Sequence, residues 1–272
     1  MASPESIAQA GAARARDNVT LSAVVYVEGR ESAEALDETF FSLALQDWRD
    51  VEVVVALAAA GADAARAVAE IIEAQPWLNA PRYRVLSGGA GRGELLNRAV
   101  GEAVGRFLVF LEAGEEVAYQ HGYAALVGRL LESGRAFAAG GCRSAHLRRG
   151  PGHRFVETKD DFALGRTPRG LLSSRLAPLC AHVFDRARVE GFDLSFGASA
   201  RAGAERDLFA RLYAAHGPAD DSLRHVFVCE RRLRAGGAEG ILYAAARGAY
   251  ALRGALRRLG ARLRGGAGRG AR

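Results

Sequence analysis

The chain has 272 residues, of which 49% are apolar and 25% charged, a composition that fits a globular protein with one large domain. Its three cysteines, Cys142, Cys180 and Cys229, form no C-x-x-C pair, which argues against a disulfide framework and a structural zinc site. The formal charge of +6 comes from the tail: removing the eight arginines after Glu239 leaves −2, which excludes a basic nucleic-acid-binding body.

The amino-terminal residues predict no regular structure. Residues 1–18 are rich in alanine, arginine and serine and lack the apolar stretch of a secretory signal, so we expect a disordered lead-in. The sequence contains no uninterrupted apolar run of about 18 residues, which a membrane-spanning helix requires. Together with the unpaired cysteines, these features predict a cytoplasmic protein.

The next part of the chain alternates between short valine-rich runs and helical patterns. Strands are predicted at residues 21–27, 51–57, 83–86 and 107–111. Helices are predicted between them at residues 32–45, 63–74 and 94–104. This order predicts an α/β fold with a mostly parallel central sheet flanked by helices, in which ligands bind at the carboxyl ends of the strands.

The pattern is less regular after residue 111. A helix at 123–133 and a strand at 137–142 precede a polar stretch at 143–175, which predicts an irregular functional loop or disorder. A helix at 204–216 and a strand at 225–229 complete the predicted domain.

Six short segments at the junctions of these elements form a recognisable series. They are LSAVV at 21–25, FSLALQDW at 41–48, GRGELLNRA at 91–99, GRFLVFLEAGE at 105–115, VFDRARVEGFD at 183–193 and AERDLFARL at 204–212. The series resembles the family 2 glycosyltransferases of the GT-A fold, including their patterns S-x-L-x-Q-x-Y/W and G-E-Y-L-x-F-L-D-A-D-D. The resemblance implies a Rossmann-like GT-A domain over residues 19–239. It also implies an inverting transfer of a sugar from a nucleotide-sugar donor to a hydroxyl of a glycan or lipid-linked acceptor.

The resemblance also implies roles for individual residues. Glu205 stands where the family has the aspartate that takes the proton of the acceptor hydroxyl. Glu112 stands at the first position of the D-x-D motif, which implies a divalent metal, Mn²⁺ or Mg²⁺. Glu115 and Glu116 follow closely in the sequence, and either offers a second oxygen ligand, with Glu115 the first candidate. The positions implied to bind the nucleotide are Val27, Glu28, Leu57, Arg92, Asn97 and Ala113. A diphosphate suits the backbone amides and Arg92 at the start of a helix.

Several positions differ from the family patterns. The chain has Leu-Ala-Ala-Ala at 57–60 where the family has the aspartates that bind uracil and ribose, and its D-x-D motif reads Glu-Ala-Gly at 112–114. The acid before the base is Ala204, and the R-x-H motif reads Arg-Arg-Leu at 231–233. These differences leave a second hypothesis open, that the chain is a catalytically inactive relative serving as a binding or scaffolding module.

Some candidate residues also have simpler interpretations. Glu112 also fits a solvated acid on a turn after a buried strand, and Glu205 fits an acid near a helix N-terminus, which the helix dipole favours. His153, close in sequence to the Asp160–Asp161 pair, is a further candidate for substrate contact. The other histidines show no ligand spacing and predict surface or packing roles.

Residues 240–272 predict a basic amphipathic helix and a flexible tail. Between residues 241 and 263 the apolar side chains fall on one face of a helix and arginines on the other. The pattern predicts that residues 240–264 bind an anionic membrane surface, as a peripheral protein at the inner face of the membrane. The alternative is a helix that packs its leucines on its own domain.

Overall fold

The computed structural model describes residues 20–161 and 179–233, apart from residues 30, 32, 49, 60, 89–90, 119, 151–152, 190–193, 198–200 and 224–226. The predicted lead-in and amphipathic tail lie outside these residues. The chain divides into two compact units, one of residues 1–144 with 159–231 and one of residues 145–158 with 232–272. In the part of the chain that is described, no helix combines the length and apolar character needed to cross a bilayer.

The described residues form strands and helices in alternating order. The strands are β1 (Leu21–Val27), β2 (Val51–Leu57), β3 (Arg82–Ser87), β4 (Phe107–Glu112), β5 (Glu115–Val117), β6 (Phe137–Ala139), β7 (Gly141–Gly150), β8 (His153–Asp161), β9 (His182–Asp185) and β10 (Phe227–Leu233). The helices are α1 (Ala33–Ala44), α2 (Ala62–Glu73), α3 (Arg92–Glu102), α4 (Gly122–Ser133) and α5 (Arg201–His216), with one 3₁₀ turn at Leu179–Ala181.

The first unit is built on a six-stranded sheet with the order β3-β2-β1-β4-β9-β6. Strand β1 pairs in parallel with β2 and β4, and β2 pairs in parallel with β3. Strand β9 runs antiparallel to both β4 and β6. This sheet and its flanking helices confirm the predicted α/β fold with a mostly parallel central sheet.

The core lies on both faces of this sheet, because successive side chains of a strand point to opposite sides. Val25 of β1 packs in one cluster with Phe40 of α1 and with residues of α2 and α4. Val24, one residue earlier, packs in a second cluster with Leu95 of α3 and Phe209 of α5. Burial on both faces explains why β1 and β2 are mostly apolar along their length, with Ser22 and Glu52 as exceptions, and do not alternate between apolar and polar residues.

The structure corrects part of the prediction for residues 143–175, of which residues 151–152 and 162–175 lie outside the described part of the chain. The sequence predicts an irregular stretch, whereas residues 141–150 and 153–161 form β7 and β8. These strands are rich in arginine, histidine and acids, so they lack the apolar run that marks a buried strand. His153 begins β8 and Asp160–Asp161 end it, and substrate contact by these residues stays a prediction.

Helix α3 packs closely against residues 194–197, the segment that precedes α5. A Cβ atom on Gly93 would lie 2.4 Å from the carbonyl oxygen of Gly197 and 2.9 Å from that of Phe196. One turn later, the Asn97 amide nitrogen donates to the Phe196 carbonyl at 3.0 Å, and its oxygen accepts the Phe196 N–H at 2.7 Å. Glycine at 93 therefore permits the close approach, and Asn97 fixes it.

This close packing makes Gly93→Ala destabilising. The new methyl group would force the backbone of Gly197 away, and overpacking of this kind costs about 1–3 kcal/mol in the free energy of unfolding. Gly101→Ala on the same helix is the matched control, because a Cβ atom there meets nothing within 4 Å and alanine favours the helix. Urea denaturation of both variants measures the difference, and equal midpoints would contradict the packing argument.

Candidate functional site

The carboxyl ends of β2, β1 and β4 lie side by side at one edge of the central sheet. The register places Val27 of β1 level with Leu57 of β2, and Tyr26 of β1 level with Glu112 of β4. The predicted nucleotide-binding positions on the strands therefore lie at this edge: Val27, Glu28, Leu57 and Ala113. This is the edge where open parallel sheets bind ligands.

The side chains at these positions differ in accessibility. Those of Val27 and Leu57 are buried in the core, so a ligand at this edge can reach only their backbone atoms. Glu28 is exposed, and its backbone N–H donates to the carboxylate of Glu31 at 2.9 Å. The backbone N–H of Ala113 donates to the carbonyl of Tyr26 at 3.0 Å.

Three charged side chains from separate elements converge at the same edge. Arg92 begins α3, Glu112 ends β4 and Glu205 lies on α5. Nε and Nη2 of Arg92 donate to Oε1 of Glu112 at 3.0 and 2.6 Å, and Nη2 lies 3.6 Å from Oε1 of Glu205. These side chains are only 16%, 21% and 9% exposed, respectively, so water screens their charges less than at an open surface. We call these three residues the ion-pair cluster.

The ion-pair cluster lines a small, partly open pocket together with Tyr26, Leu96, Phe110, Leu111, Glu115 and Leu179. The Arg92 guanidinium lies over the Tyr26 ring, 5.4 Å from its centroid, a cation–π contact. Burial, followed by the negative charge of Glu28, raises the pKa of Tyr26 above its ordinary value, so the phenol stays neutral. Sequence reasoning missed Tyr26, although the parallel register of β1 and β4 places it beside Glu112.

Arg92 has one donor group that the pocket does not satisfy. Its Nη1 atom is buried and has no hydrogen-bond partner among the residues that the structure describes. A buried donor without a partner costs about 1–3 kcal/mol. An oxygen-rich ligand in the pocket would remove that cost.

Glu205 lies in the second turn of α5. The sequence predicts a helix from residue 204, which would place this acid in the first turn, but the helix begins at Arg201. The helix dipole acts mainly within the first turn, so it stabilises the charge of Glu205 only weakly. The nearby guanidinium of Arg92 is the better explanation for an acid at this position. Glu112 is ion-paired rather than a solvated turn acid, so its simpler interpretation is wrong.

The implied divalent metal does not fit the carboxylates as they are arranged. Oε1 of Glu112 already accepts two guanidinium donors, and Oε2 of Glu115 accepts the backbone N–H of Glu112 at 2.9 Å. Gly114, at the second carboxylate position of the D-x-D motif, has φ = 89°, a conformation that favours glycine. At a partly exposed site, two unit charges 4 Å apart repel by about 4 kcal/mol, and a divalent ion beside the guanidinium would face about twice that. Metal binding by Glu112 and Glu115 stays a prediction, and it requires Arg92 to move.

The three cysteines, distant in sequence, lie together in the core of the first unit. The Sγ atoms of Cys142, Cys180 and Cys229 lie within 4.8 Å of one another, and those of Cys180 and Cys229 are 2.7 Å apart. Two sulfurs bound to one zinc ion would be about 3.8 Å apart, so this contact does not fit a shared ion. Burial, with hydrogen bonding from Cys142, raises the pKa of Cys180 and Cys229 well above the ordinary value, so both are neutral thiols.

The buried thiols are expected to be unreactive in the folded protein. At pH 8 a disulfide reagent such as DTNB needs an accessible thiolate, and burial removes both the access and the charge. We expect no fast release of the coloured product from native protein and three equivalents after denaturation. Fast reaction of even one thiol in the native state would contradict the buried cluster.

Comparison with known proteins gives the fold and no closer relationship. No protein-family model matches the chain, and no curated protein sequence matches it. Among solved structures, residues 1–349 of S. aureus TarS match at a TM-score of 0.54 and 17% identity, over 78% of this chain and 60% of that one. The same protein in complex with UDP-GlcNAc matches at 0.54 and 17% over 80% and 60%. The mannosyltransferase PcManGT of Pyrobaculum calidifontis, in complex with GDP-Man and Mn²⁺, matches at 0.52 and 17% over 78% and 56%.

These matches define the class of fold. TarS and PcManGT are glycosyltransferases with a GT-A-like fold, and this chain shares that fold. It spans about three fifths of the length of the TarS chain and 56% of the PcManGT chain. Membership of family 2 stays a prediction from the sequence motifs.

Proposed function

We propose that this chain binds a nucleotide sugar and transfers its sugar, with inversion, to a hydroxyl group of a glycan or lipid-linked acceptor. The observation that carries the proposal is the convergence of Arg92, Glu112 and Glu205 at the carboxyl edge of the sheet. On the same fold, TarS has been solved with UDP-GlcNAc and PcManGT with GDP-Man.

The donor would lie along the carboxyl edge of β2, β1 and β4. Its diphosphate would approach Arg92 and the first amides of α3, since a helix N-terminus and a guanidinium both favour phosphate oxygens. The backbone at Val27 and Leu57, with Glu28 and Ala113, would contact the nucleoside. Asn97 would contribute through the segment that it holds at Phe196.

Glu205 would act as the general base. Its carboxylate takes the proton of the acceptor hydroxyl as that oxygen forms a bond to the anomeric carbon. The bond between the anomeric carbon and the diphosphate oxygen breaks, and the nucleoside diphosphate leaves with the electron pair. Attack from the face opposite the leaving group inverts the anomeric centre.

A turnover assay tests this proposal. The full chain is incubated with UDP-GlcNAc or GDP-Man and a mixture of glycan and lipid-linked acceptors, and the nucleoside diphosphate and glycosylated products are measured by mass spectrometry. We expect release of the diphosphate that depends on an acceptor. Folded protein that yields neither product with any donor would overturn the catalytic proposal.

One observation favours a second candidate, an inactive module that binds nucleotide sugars or glycans. The carboxyl end of β2 is the apolar residue Leu57 followed by Ala58, which offer no acid to a nucleobase. If the chain binds a donor but transfers its sugar to none of the acceptors in the mixture, the result would support the inactive module over the catalytic proposal.

We also propose that residues 240–264, outside the described part of the chain, bind anionic lipid. Each arginine near such a surface contributes about 1 kcal/mol, an attraction that salt screens. Flotation with liposomes rich in anionic lipid compares the full chain with one ending at Glu239. We expect recruitment of the full chain only, and equal flotation of both would contradict the proposal.

A further inference from the structure

We infer that the guanidinium of Arg92 is the cation of this site and takes the place of a divalent metal in binding the donor diphosphate. The inference rests on the proposed function for its ligand, but it concerns a different property, the source of positive charge.

The first step is that Arg92 is held at the position of the implied ion. Two of its nitrogens contact Oε1 of Glu112, the first residue of the altered D-x-D motif, at 2.6 and 3.0 Å. Glu205 lies 3.6 Å from Nη2, and the Tyr26 ring covers the guanidinium at 5.4 Å. The cation therefore contacts an acid from β4, an acid from α5 and an aromatic ring from β1.

The second step is that a metal ion and Arg92 compete for the same carboxylate. A divalent ion bound to Glu112 would stand beside a guanidinium whose charge cannot be removed at physiological pH. Gly114 supplies no second carboxylate, and its φ of 89° disfavours a side chain there. Among the described residues, the group of three candidate ligands with donor atoms within 4.8 Å consists of the buried cysteines and includes none of these acids.

The third step is that Arg92 has capacity left for an anion. Its buried Nη1 group has no hydrogen-bond partner among the described residues, although its other nitrogens are engaged. A phosphate oxygen is a suitable partner, since the planar guanidinium matches phosphate geometry. Arg92 is also the first residue of α3, so the helix N-terminus favours negative charge at the same point.

Two measurements on purified full-length protein test the inference. The first is electron paramagnetic resonance of free Mn²⁺ during titration with protein, which needs no nucleotide. We expect no saturable binding to the native chain up to about 1 mM and saturable binding to Arg92→Ala, which releases Glu112 and Glu205. The second is calorimetric titration with UDP and GDP, in EDTA and in Mn²⁺.

In the calorimetry, we expect the native chain to bind UDP or GDP with a Kd that differs by less than about twofold between EDTA and Mn²⁺. Loss of a charge-assisted hydrogen bond corresponds to about 10- to 100-fold, so Arg92→Ala should weaken binding in EDTA by that factor. Arg92→Lys keeps the charge without the planar fork and should lose several-fold. Arg98→Ala, which removes an exposed arginine from the same helix, is the control and should bind as the native chain does.

The outcomes separate this inference from the proposed function. Saturable Mn²⁺ binding by the native chain, or nucleotide affinity raised more than tenfold by Mn²⁺, would overturn the role of Arg92. Absence of Mn²⁺ binding by both the native chain and folded Arg92→Ala would also overturn it, because Arg92 would then not be what excludes the ion. If neither nucleotide binds, the proposed donor fails, and the Mn²⁺ titration alone decides whether Arg92 is the cation. If Arg92→Ala does not fold, Arg92→Lys replaces it in both measurements. Because lysine keeps the positive charge, saturable Mn²⁺ binding by Arg92→Lys would overturn the inference.

Discussion

Glu205→Gln is expected to lower turnover by about 100- to 10,000-fold, the usual contribution of a general base. Glutamine keeps the size and shape of the side chain but cannot accept the proton of the acceptor hydroxyl. Donor affinity should change by less than about threefold, because Glu205 lies 3.6 Å from Arg92 while Glu112 makes the shorter contacts. Steady-state kinetics with donor titration separate the two effects.

Asp207→Asn is the matched control for this experiment. Asp207 is an exposed acid two residues further along α5, so its loss tests the effect of charge on the helix without touching the pocket. We expect turnover within about twofold of the native value. If Glu205→Gln also leaves turnover unchanged, Glu205 has no part in the chemistry.

Arg106→Ala is expected to lower the free energy of unfolding by about 3 kcal/mol, the lower end of the cost of breaking a buried ion pair, because Asp185 is fully buried while the Arg106 side chain is 39% exposed. The carboxylate of Asp185 at the end of β9 is fully buried and accepts hydrogen bonds from Nε and Nη2 of Arg106 at 3.0 and 2.8 Å. The variant leaves that carboxylate with the backbone N–H of Ala187 at 3.1 Å and the more distant Arg188 at 3.5 Å.

The control for this prediction is Arg84→Ala. Arg84 pairs with Glu102 at 3.0 Å, but the two side chains are 47% and 54% exposed, and such surface pairs contribute about 0–1 kcal/mol. Urea denaturation of both variants should therefore show a large shift of the midpoint for Arg106→Ala and a small one for Arg84→Ala. Equal shifts would mean that burial of Asp185 does not determine the cost.

Strands buried on both faces were the easiest part of the fold to predict. The apolar runs at residues 21–27 and 51–57 match the observed bounds of β1 and β2. Strands β5 and β9 were missed because they have only three and four residues, and their pairing with β10 and with β4 and β6 depends on distant parts of the chain. Strands β7 and β8 were missed because their sequences are polar.

The candidate site was predicted as a set of positions, but its contacts were not. The motif resemblance singled out Arg92, Glu112 and Glu205 as separate candidates. Sequence spacing cannot show that a guanidinium from α3 would meet acids 20 and 113 positions further along, because that pairing depends on how α3 and α5 pack on one face of the sheet. The prediction of a metal took account of the acids but not of Arg92, which contacts them in the folded chain. The cysteine cluster was missed because its three residues are distant in sequence and meet only in the folded core.

Calorimetric titration of the full chain with UDP, GDP and dTDP, each compared with its nucleoside, tests the central claim most directly. The account predicts that at least one diphosphate binds, with a Kd weaker than about 1 μM since the nucleobase aspartates are absent, and that its nucleoside does not bind measurably. Binding of no diphosphate by folded protein, or binding of a nucleoside as tightly as its diphosphate, would contradict a donor site built around Arg92, Glu112 and Glu205.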